Sequence, residues 1–431
     1  MKIKATKNDL NGILSVPGSK SHTIRAVLIA TMAEGISQIY NPLASRDCLS
    51  SLVVSKAFGA NVKRMDNYWE VEGIGKNLKV PEDVIDCGNS GTTLYFTTAM
   101  AATIKGGSTV LTGDHQIRKR PIKILLDAIN NLGGESFTTR TDSLACPAVI
   151  RGPINPGKIT FSGRMSQYVS AMMLVSPLLN GEMNIFLEKP YEKPYLQMTV
   201  DWMEKQGIKI DYDNENYKYF KINGPQEYKT VSERIPSDWE GVAFPLVAAL
   251  ITNSKIIIED LDLSGSQGDS VIVDILQEMG GNIIIDKENN SLIAKGGNKL
   301  KGITIDCMDI PDAVPALSVA AAFAEGETKL TGIEMVRVKE TDRVAVMKEE
   351  LQKMGVKVED DESSMTIYGG SKVKGAEVES HDDHRVAMAL AVAGLGAEGE
   401  TIVNEAECCD VSFPDFYNIM NKVNANFEEL E

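Results

Sequence analysis

Five glycines recur along this chain at almost equal intervals, and the segments around them are built alike. The segments are SSLVVSKAFGANVK, LDAINNLGGES, VDWMEKQGIKI, VDILQEMGGNIII and MKEELQKMGVKVE. Each reads as an amphipathic helix, then glycine, then a short alternating strand. The glycines are Gly59, Gly133, Gly207, Gly280 and Gly355, separated by 74, 74, 73 and 75 residues. A sixth, degenerate copy fits FYNIMNKVNANFE near the C-terminus. Glycine just past a helix is a C-cap signal, because it takes the left-handed backbone conformation without steric cost. Helix–glycine–strand junctions occur in any α/β protein, but four nearly equal spacings argue for duplication of one unit. Six such units, each with strands around buried helices, predict an α/β architecture. The spacing leaves open whether they form one solenoid or two groups of three.

At 431 residues the chain is long enough for two or three domains with large cores. Apolar residues make up 43% and charged residues 24%, an ordinary balance for a globular protein. The opening MKIKATKNDLNGILSV has no apolar run suited to secretion, and no stretch reaches membrane-spanning length, so a cytoplasmic protein is expected. Cys48, Cys87, Cys146, Cys307, Cys408 and Cys409 show no CxxC spacing and read as reduced thiols. A net charge of −16 argues against nucleic acid as a partner, since phosphate backbones need a basic face. Any anion site must then be a local cationic cluster in an acidic molecule. The expected partners are small molecules, and the expected form is a monomer.

Several blocks offer such clusters. Pro17-Gly18-Ser19-Lys20-Ser21-His22-Thr23-Ile24-Arg25 runs from a turn into an apolar helix, with Ser19 or Ser21 as the N-cap. Free N–H groups at a helix start favour an anion, and Lys20 supplies countercharge. The spacing GxxxxGK[ST] is absent, so ATP is not indicated; a capped helix with solvated Lys and Arg is the other reading. Asp86-Cys87-Gly88-Asn89-Ser90-Gly91-Thr92-Thr93 again leads small residues into an apolar helix, although GNSG also makes a plain turn. Arg118-Lys119-Arg120-Pro121 gathers three cations, which equally suit a solvated face. In Val336-Arg337-Val338-Lys339-Glu340-Thr341-Asp342-Arg343, Glu340 and Arg343 stand three apart and would pair on a helix face, at the least as a surface ion pair. Ser380-His381-Asp382-Asp383-His384-Arg385 invites a metal reading, but its spacing matches no zinc or iron site. Asp309-Ile310-Pro311-Asp312-Ala313 and Pro236-Ser237-Asp238 each set a carboxylate at the mouth of an apolar helix. Cations at several helix starts, with carboxylates beside them, suit chemistry on a small dianion. No cofactor fingerprint, activated Cys or Ser–His–Asp set competes, so no cofactor is expected.

In this order and along the whole chain, PGSKSHTIRA, GNSGT, Arg120-Pro121, Ser166-Gln167, Lys193-Pro194-Tyr195, IPDAVP, RVKETDR, DHRVAMA and SFPDF resemble the 5-enolpyruvylshikimate 3-phosphate (EPSP) synthase family. RVKETDR and DHRxAM are the most specific of these. The resemblance implies a two-domain enolpyruvyl transferase fold, with six βαβαββ-type repeats, three per domain, around buried helices. It implies domains at 18–234 and at 1–17 plus 235–431. The implied reaction moves the carboxyvinyl group of phosphoenolpyruvate to the 5-hydroxyl of shikimate 3-phosphate. Lys20, Asn89, Gly91, Arg120, Gln167, Arg343 and Arg385 match the family's phosphoenolpyruvate ligands. Asp312 matches its base at the acceptor hydroxyl, Glu340 the acid at the vinyl methylene, and Lys20 acts with them. On the acceptor side the matches are Ser21, Arg25, Ser166, Gln167, Tyr195, Asp312 and Lys339, with Arg164 as an added candidate.

The chain departs from the family where the acceptor should bind. Met165 and Glu192 stand where serines are usual, Met335 where Asn is common, Tyr95 where Arg is usual, and Val411 where many members have Lys. Losing two hydroxyl donors and gaining a carboxylate weakens a site for a phosphate dianion, and Arg164 is the group that would compensate. An alternative is therefore a paralogous enolpyruvyl transferase acting on a different cyclic alcohol, with or without a phosphate. The related UDP-N-acetylglucosamine enolpyruvyl transferases carry Cys where this chain has His115, and a GAKNA-like opening in place of PGSKS. A binding protein without catalysis is a further alternative, which the joint presence of Lys20, Asp312, Glu340, Arg343 and Arg385 opposes. If Arg164 holds the acceptor's phosphate, Arg164→Ala should raise the acceptor KM by about 10- to 150-fold, the worth of one charge-assisted contact. The KM for phosphoenolpyruvate should stay nearly unchanged in the same steady-state assay.

Overall fold

The structure, a computed structural model, describes residues 1–163 and 165–430. Contacts divide the chain into two compact units, Gly18–Pro236 and Met1–Pro17 with Ser237–Glu431. The described helices of the first unit are α1 (Lys20–Met32), α2 (Arg46–Ala57), α3 (Gly91–Ala101), α4 (Lys123–Asn131), α5 (Ser166–Val175) and α6 (Lys193–Lys205). Those of the second are α7 (Trp239–Ile251), α8 (Ile272–Glu278), α9 (Val314–Phe323), α10 (Arg343–Lys353), α11 (His384–Gly396) and α12 (Phe416–Asn421).

The repeat glycines do what their positions predict. Gly59, Gly133, Gly207, Gly280 and Gly355 lie at φ of +104°, +87°, +91°, +96° and +84°, each just past the end of α2, α4, α6, α8 or α10. At one of them, Gly133 N–H donates to Asn130 O (3.0 Å) and Gly134 N–H to Ile129 O (3.1 Å), so two orphan carbonyls are satisfied at once. The sixth copy closes the same way with Asn424 at φ +68°, its N–H on Asn421 O (3.1 Å) and the next on Met420 O (3.2 Å). Asn tolerates the left-handed region through its short polar side chain, which is why the copy looks degenerate in sequence yet folds alike.

Each repeat also carries a second helix, and the two kinds differ. The glycine-capped helices are amphipathic and keep an exposed face; in α4 the buried positions are Leu125, Leu126, Ala128 and Ile129. The helices that open from the polar blocks are the central ones. In α1, α3, α5, α7, α9 and α11 all residues but one are buried. In the second unit α7, α9 and α11 pack on one another. Their C-terminal ends meet at Gly396, where a Cβ would come within 2.7 Å of the Phe323 ring and 3.3 Å of Ile251. In the first unit α3 packs against both α1 and α5.

Among the described residues, six four-stranded sheets of one topology cover these helices, each a parallel pair extended by two antiparallel strands. Ile85–Asp86 runs parallel to Thr109–Thr112, which pairs antiparallel with Ala148–Arg151, and that in turn with Glu135–Thr138. Strands remote in sequence complete three of them. Asn11–Ser15 lies parallel to Lys255–Glu259, and Lys2–Thr6 sits between Glu400–Asn404 and Glu428–Leu430. These two strands attach the N-terminal segment to the second unit. Ser232–Arg234 runs parallel to Glu34–Tyr40 and closes the first. The six cysteines are buried and no disulfide joins them. Among the described residues no helix is long and apolar enough to cross a membrane.

A Cβ at Gly355 would meet nothing within 4 Å, so a substitution there tests the backbone alone. Gly355→Ala should cost about 1 kcal/mol in chemical unfolding of the full chain, and Gly355→Asn less.

Candidate active site

In the second unit the three central helices begin together as well as end together. Asp238 caps α7 and Asp383 caps α11, the latter accepting Arg385 N–H at 3.0 Å. A turn at Pro311–Ala313 leads into α9. Helices that start side by side bring the positive ends of their dipoles to one place. Acidic groups occupy that place. Arg343, with no exposed surface, donates Nη1 to Asp312 Oδ1 (2.6 Å), Nη2 to Glu340 Oε2 (2.6 Å) and Nε to Asp383 Oδ2 (2.8 Å). Thr341 Oγ1 adds a bond to the same Asp383 oxygen at 3.0 Å. Arg385 Nε lies 3.1 Å from Asp312 Oδ1, while its Nη2 meets the Glu240 carboxylate. Lys339 Nζ stands 3.6 Å from Asp312 Oδ2. Burial alone would lower the Arg343 pKa, but Asp383, Glu340 and Asp312 outweigh it and hold it above the ordinary guanidinium value.

Glu340 and Arg343 pair, though not along a helical face. Asp342 caps α10 by accepting Ala345 N–H at 3.0 Å, so the helix begins at Arg343 and Glu340 folds back from the preceding loop. The pair is buried, with side-chain exposures of 6% and 0%, which removes the surface-ion-pair reading.

In the first unit the polar blocks open α1, α3 and α5. Ser19 is the N-cap of α1, with Oγ 3.5 Å from His22 N, and Ser21 lies inside the helix. Lys20 is the residue of α1 that escapes burial, and its Nζ stands 3.5 Å from Asp47 Oδ2 on α2. Ser90 caps α3, accepting Thr93 N–H at 3.2 Å. At Gly91 a Cβ would come 2.2 Å from Arg120 Nη1, so the missing side chain is what lets this guanidinium lie across the helix start. Asn89 donates to Asp114 and Gln116 and braces the segment that carries Arg120. Gln167, second in α5, donates to Thr92 Oγ1 at 3.1 Å. The residues of the three central helices that are not buried here, Lys20, Thr92 and Gln167, all stand at a first or second position.

Arg25 and Ser166 lie deeper. Arg25 is 1% exposed and donates Nε to Thr199 Oγ1 (2.9 Å), Nη1 to Ser21 O (3.0 Å) and Nη2 to Tyr195 O (3.2 Å). Burial lowers its pKa to about 10, against the opposing pull of Tyr195 and Glu192. Ser166 gives both its N–H (3.1 Å) and its hydroxyl (2.7 Å) to Glu192 Oε2. Arg164 lies outside the described residues. Tyr95, in a position where Arg is usual for the resembling family, is buried with its hydroxyl on Pro121 O (3.2 Å) and its ring edge-on to Tyr168. Met335 and Val411 are buried.

Sequence reasoning missed the partners of the cations: Asp47 for Lys20, Thr199 for Arg25, Glu240 for Arg385, and Asp383 for Arg343. For Glu240 a signal existed, since it is an acid in the otherwise apolar WEGVAFPLVAALI. A charge there has to be paired or the helix cannot be enclosed.

The model of one family, EPSP synthase (3-phosphoshikimate 1-carboxyvinyltransferase), matches residues 4–420. A 3-phosphoshikimate 1-carboxyvinyltransferase of Acetivibrio thermocellus is 44% identical over 431 residues, covering 100% of each chain. The EPSP synthase structure from Acinetobacter baumannii aligns with a TM-score of 0.83 at 26% identity, over 99% of each chain. The enolpyruvyl transferase NikO of Streptomyces tendae aligns at 0.80 and 18% identity, over 99% of this chain and 98% of that one, which speaks to the fold.

Asp383→Ala should lower stability by about 2–4 kcal/mol, because it leaves the buried Nε of Arg343 without an acceptor and removes the α11 cap, while Asp312 and Glu340 still hold the charge. Asp383→Asn, which keeps an oxygen for the cap, should lose less; urea unfolding of both variants measures the difference.

Proposed function

The chain belongs to the EPSP synthase family, and from that premise we propose that it transfers the enolpyruvyl group of phosphoenolpyruvate to the 5-hydroxyl of shikimate 3-phosphate. Phosphate is released, and the reaction serves the shikimate pathway of aromatic amino-acid biosynthesis. The observation that carries this reading to the residues is the arrangement about Arg343, where Asp312 and Glu340 are each fixed at 2.6 Å by one nitrogen of a single guanidinium. The reaction needs an acid and a base at different atoms of the substrates, and two oriented carboxylates supply them.

Glu340 gives a proton to the methylene carbon of phosphoenolpyruvate, leaving an oxocarbenium-like centre at the neighbouring carbon. The acceptor oxygen bonds to that centre as its proton passes to Asp312. From the resulting tetrahedral adduct phosphate leaves, and the methyl group returns a proton to Glu340 as the vinyl double bond re-forms. Lys20, Asn89, Gly91, Arg120, Gln167, Arg343 and Arg385 are assigned to the phosphate and carboxylate of phosphoenolpyruvate. Lys20 also offsets the charge on the departing phosphate. Ser21, Arg25, Arg164, Ser166, Gln167, Tyr195, Asp312 and Lys339 take the acceptor. The steps are proton transfers, one addition and one elimination, so the reading includes no cofactor. A monomer in the cytoplasm, with no nucleic-acid partner, completes it; the charge of −16 supports that last point.

One observation favours a second reading, in which the acceptor is a cyclic alcohol without a phosphate: the Ser166 donors already serve a carboxylate. Phosphate release from phosphoenolpyruvate, measured with shikimate 3-phosphate and then with shikimate, separates the two. On the first reading, Asp312→Asn and Glu340→Gln should each lower kcat by about 100- to 10,000-fold. Calorimetry should find phosphoenolpyruvate binding largely kept. Near-normal turnover in either variant would show its role to be wrongly assigned.

A further inference from the structure

Two donors of Ser166 converge on one oxygen, Glu192 Oε2, at the start of α5. No side chain from the residue before α5 caps that start, and the carboxylate that serves there comes from 26 residues further along the chain. Glu192 is 3% exposed, and its backbone is left-handed at φ +52°, a region unfavourable to a residue with a long side chain. It precedes α6 directly, yet its side chain makes no cap bond to that helix. A strained backbone and a buried charge are thus both retained at a residue whose carboxylate is turned to Ser166.

Glu192 is also tied to Arg25, through its backbone carbonyl and through its charge. Tyr195 N–H donates to Glu192 O (3.0 Å), and Tyr195 O accepts from Arg25 Nη2 (3.2 Å). Against the burial that draws the Arg25 pKa to about 10, the opposing groups are Tyr195 and Glu192. Ser166, Tyr195, Arg25 and Glu192 therefore form one assembly of hydroxyl, amide, cation and anion. The first three are the residues assigned above to the acceptor. A hydroxyl and an N–H aimed at one point beside a buried guanidinium are donors for an anionic group, and they can serve one anion at a time.

We propose that Glu192 is a resident anion of the acceptor site, whose carboxylate occupies the Ser166 donors until the phosphate of a phosphorylated acceptor displaces it. The inference rests on Ser166 being an acceptor contact. Glu192 is then a specificity-determining residue. A phosphorylated acceptor has to move a like charge out of a partly desolvated site, whereas an acceptor with a neutral group there does not.

Glu192→Gln keeps the size of the side chain and an oxygen for the Ser166 donors, and removes only the charge. The KM for shikimate 3-phosphate should fall roughly tenfold, with that for phosphoenolpyruvate unchanged within about twofold. The inhibition constant of inorganic phosphate competing with shikimate 3-phosphate should fall in parallel. A folded Glu192→Gln enzyme with an unchanged or raised KM for shikimate 3-phosphate overturns the proposal. A crystal structure of the unmodified protein with shikimate 3-phosphate tests it without a variant. Phosphate on the Ser166 donors and Glu192 turned away supports it; Glu192 still bonded to Ser166 overturns it. Absence of turnover by the unmodified enzyme with this acceptor would instead sink the functional reading, so the two failures are told apart.

Discussion

Along α7, α9 and α11, and again along α1, α3 and α5, every residue but one in each helix is buried. A helix enclosed on all sides has no solvent-facing flank, so a polar group along it has to be bonded internally, as Arg25 of α1 is, and the side chains left accessible are pushed to its ends. Enclosure also needs more apolar surface than neighbouring chain can supply, and each unit solves this with its own three central helices under an outer cover of amphipathic helices and sheets. One consequence is that strands are borrowed from far away in sequence, as Lys2–Thr6 is by Glu400–Asn404. The other is that Lys20, Thr92, Gln167, Asp312 and Arg385 all stand at or just before a central helix start, where N–H groups point outward and a polar side chain costs the core nothing.

Buried charge is the second constraint. Taking an ion out of water costs on the order of several kcal/mol even after relaxation, so each such group has to be answered nearby. Arg343 and Arg25 are both buried and are answered in opposite ways. Arg343 is bound by three carboxylates, which raise its pKa; they also tie the α9 turn, the loop before α10 and the α11 cap to a single point. Arg25 is met by a hydroxyl and two carbonyls, and its pKa falls to about 10. The first arrangement holds the Asp312 and Glu340 carboxylates in fixed directions. The second holds its cation by neutral groups, with the Glu192 charge among the influences that oppose its burial.

Much of this was legible in the sequence because it is local. The capping glycines act within one turn of a helix, so their spacing alone exposed the repeat, and Asn424 could stand in for the sixth. Asp238 and Asp312 announced two central helix starts from their place ahead of apolar runs. Glu340 and Arg343 were read as partners from their spacing, although the helix begins only at the second of them. The kinds of helix were harder. Both sorts are apolar in part, and only the enclosure of the block-opening helices separates the central from the outer set.

What the sequence determined by itself is therefore the repeat, its turns, the residues poised at helix starts and, through whole motifs, the family. What only the tertiary structure decided is which charge meets which. Arg343 finds partners 31 and 40 residues away, Arg25 finds Thr199 at 174, and Ser166 finds Glu192 at 26. A cap depends on backbone geometry within a few residues, so its signal is written beside it. A buried polar contact depends on how helices and turns remote in sequence are packed, and that packing is set by the burial of apolar surface, which carries no record of the polar groups it happens to enclose.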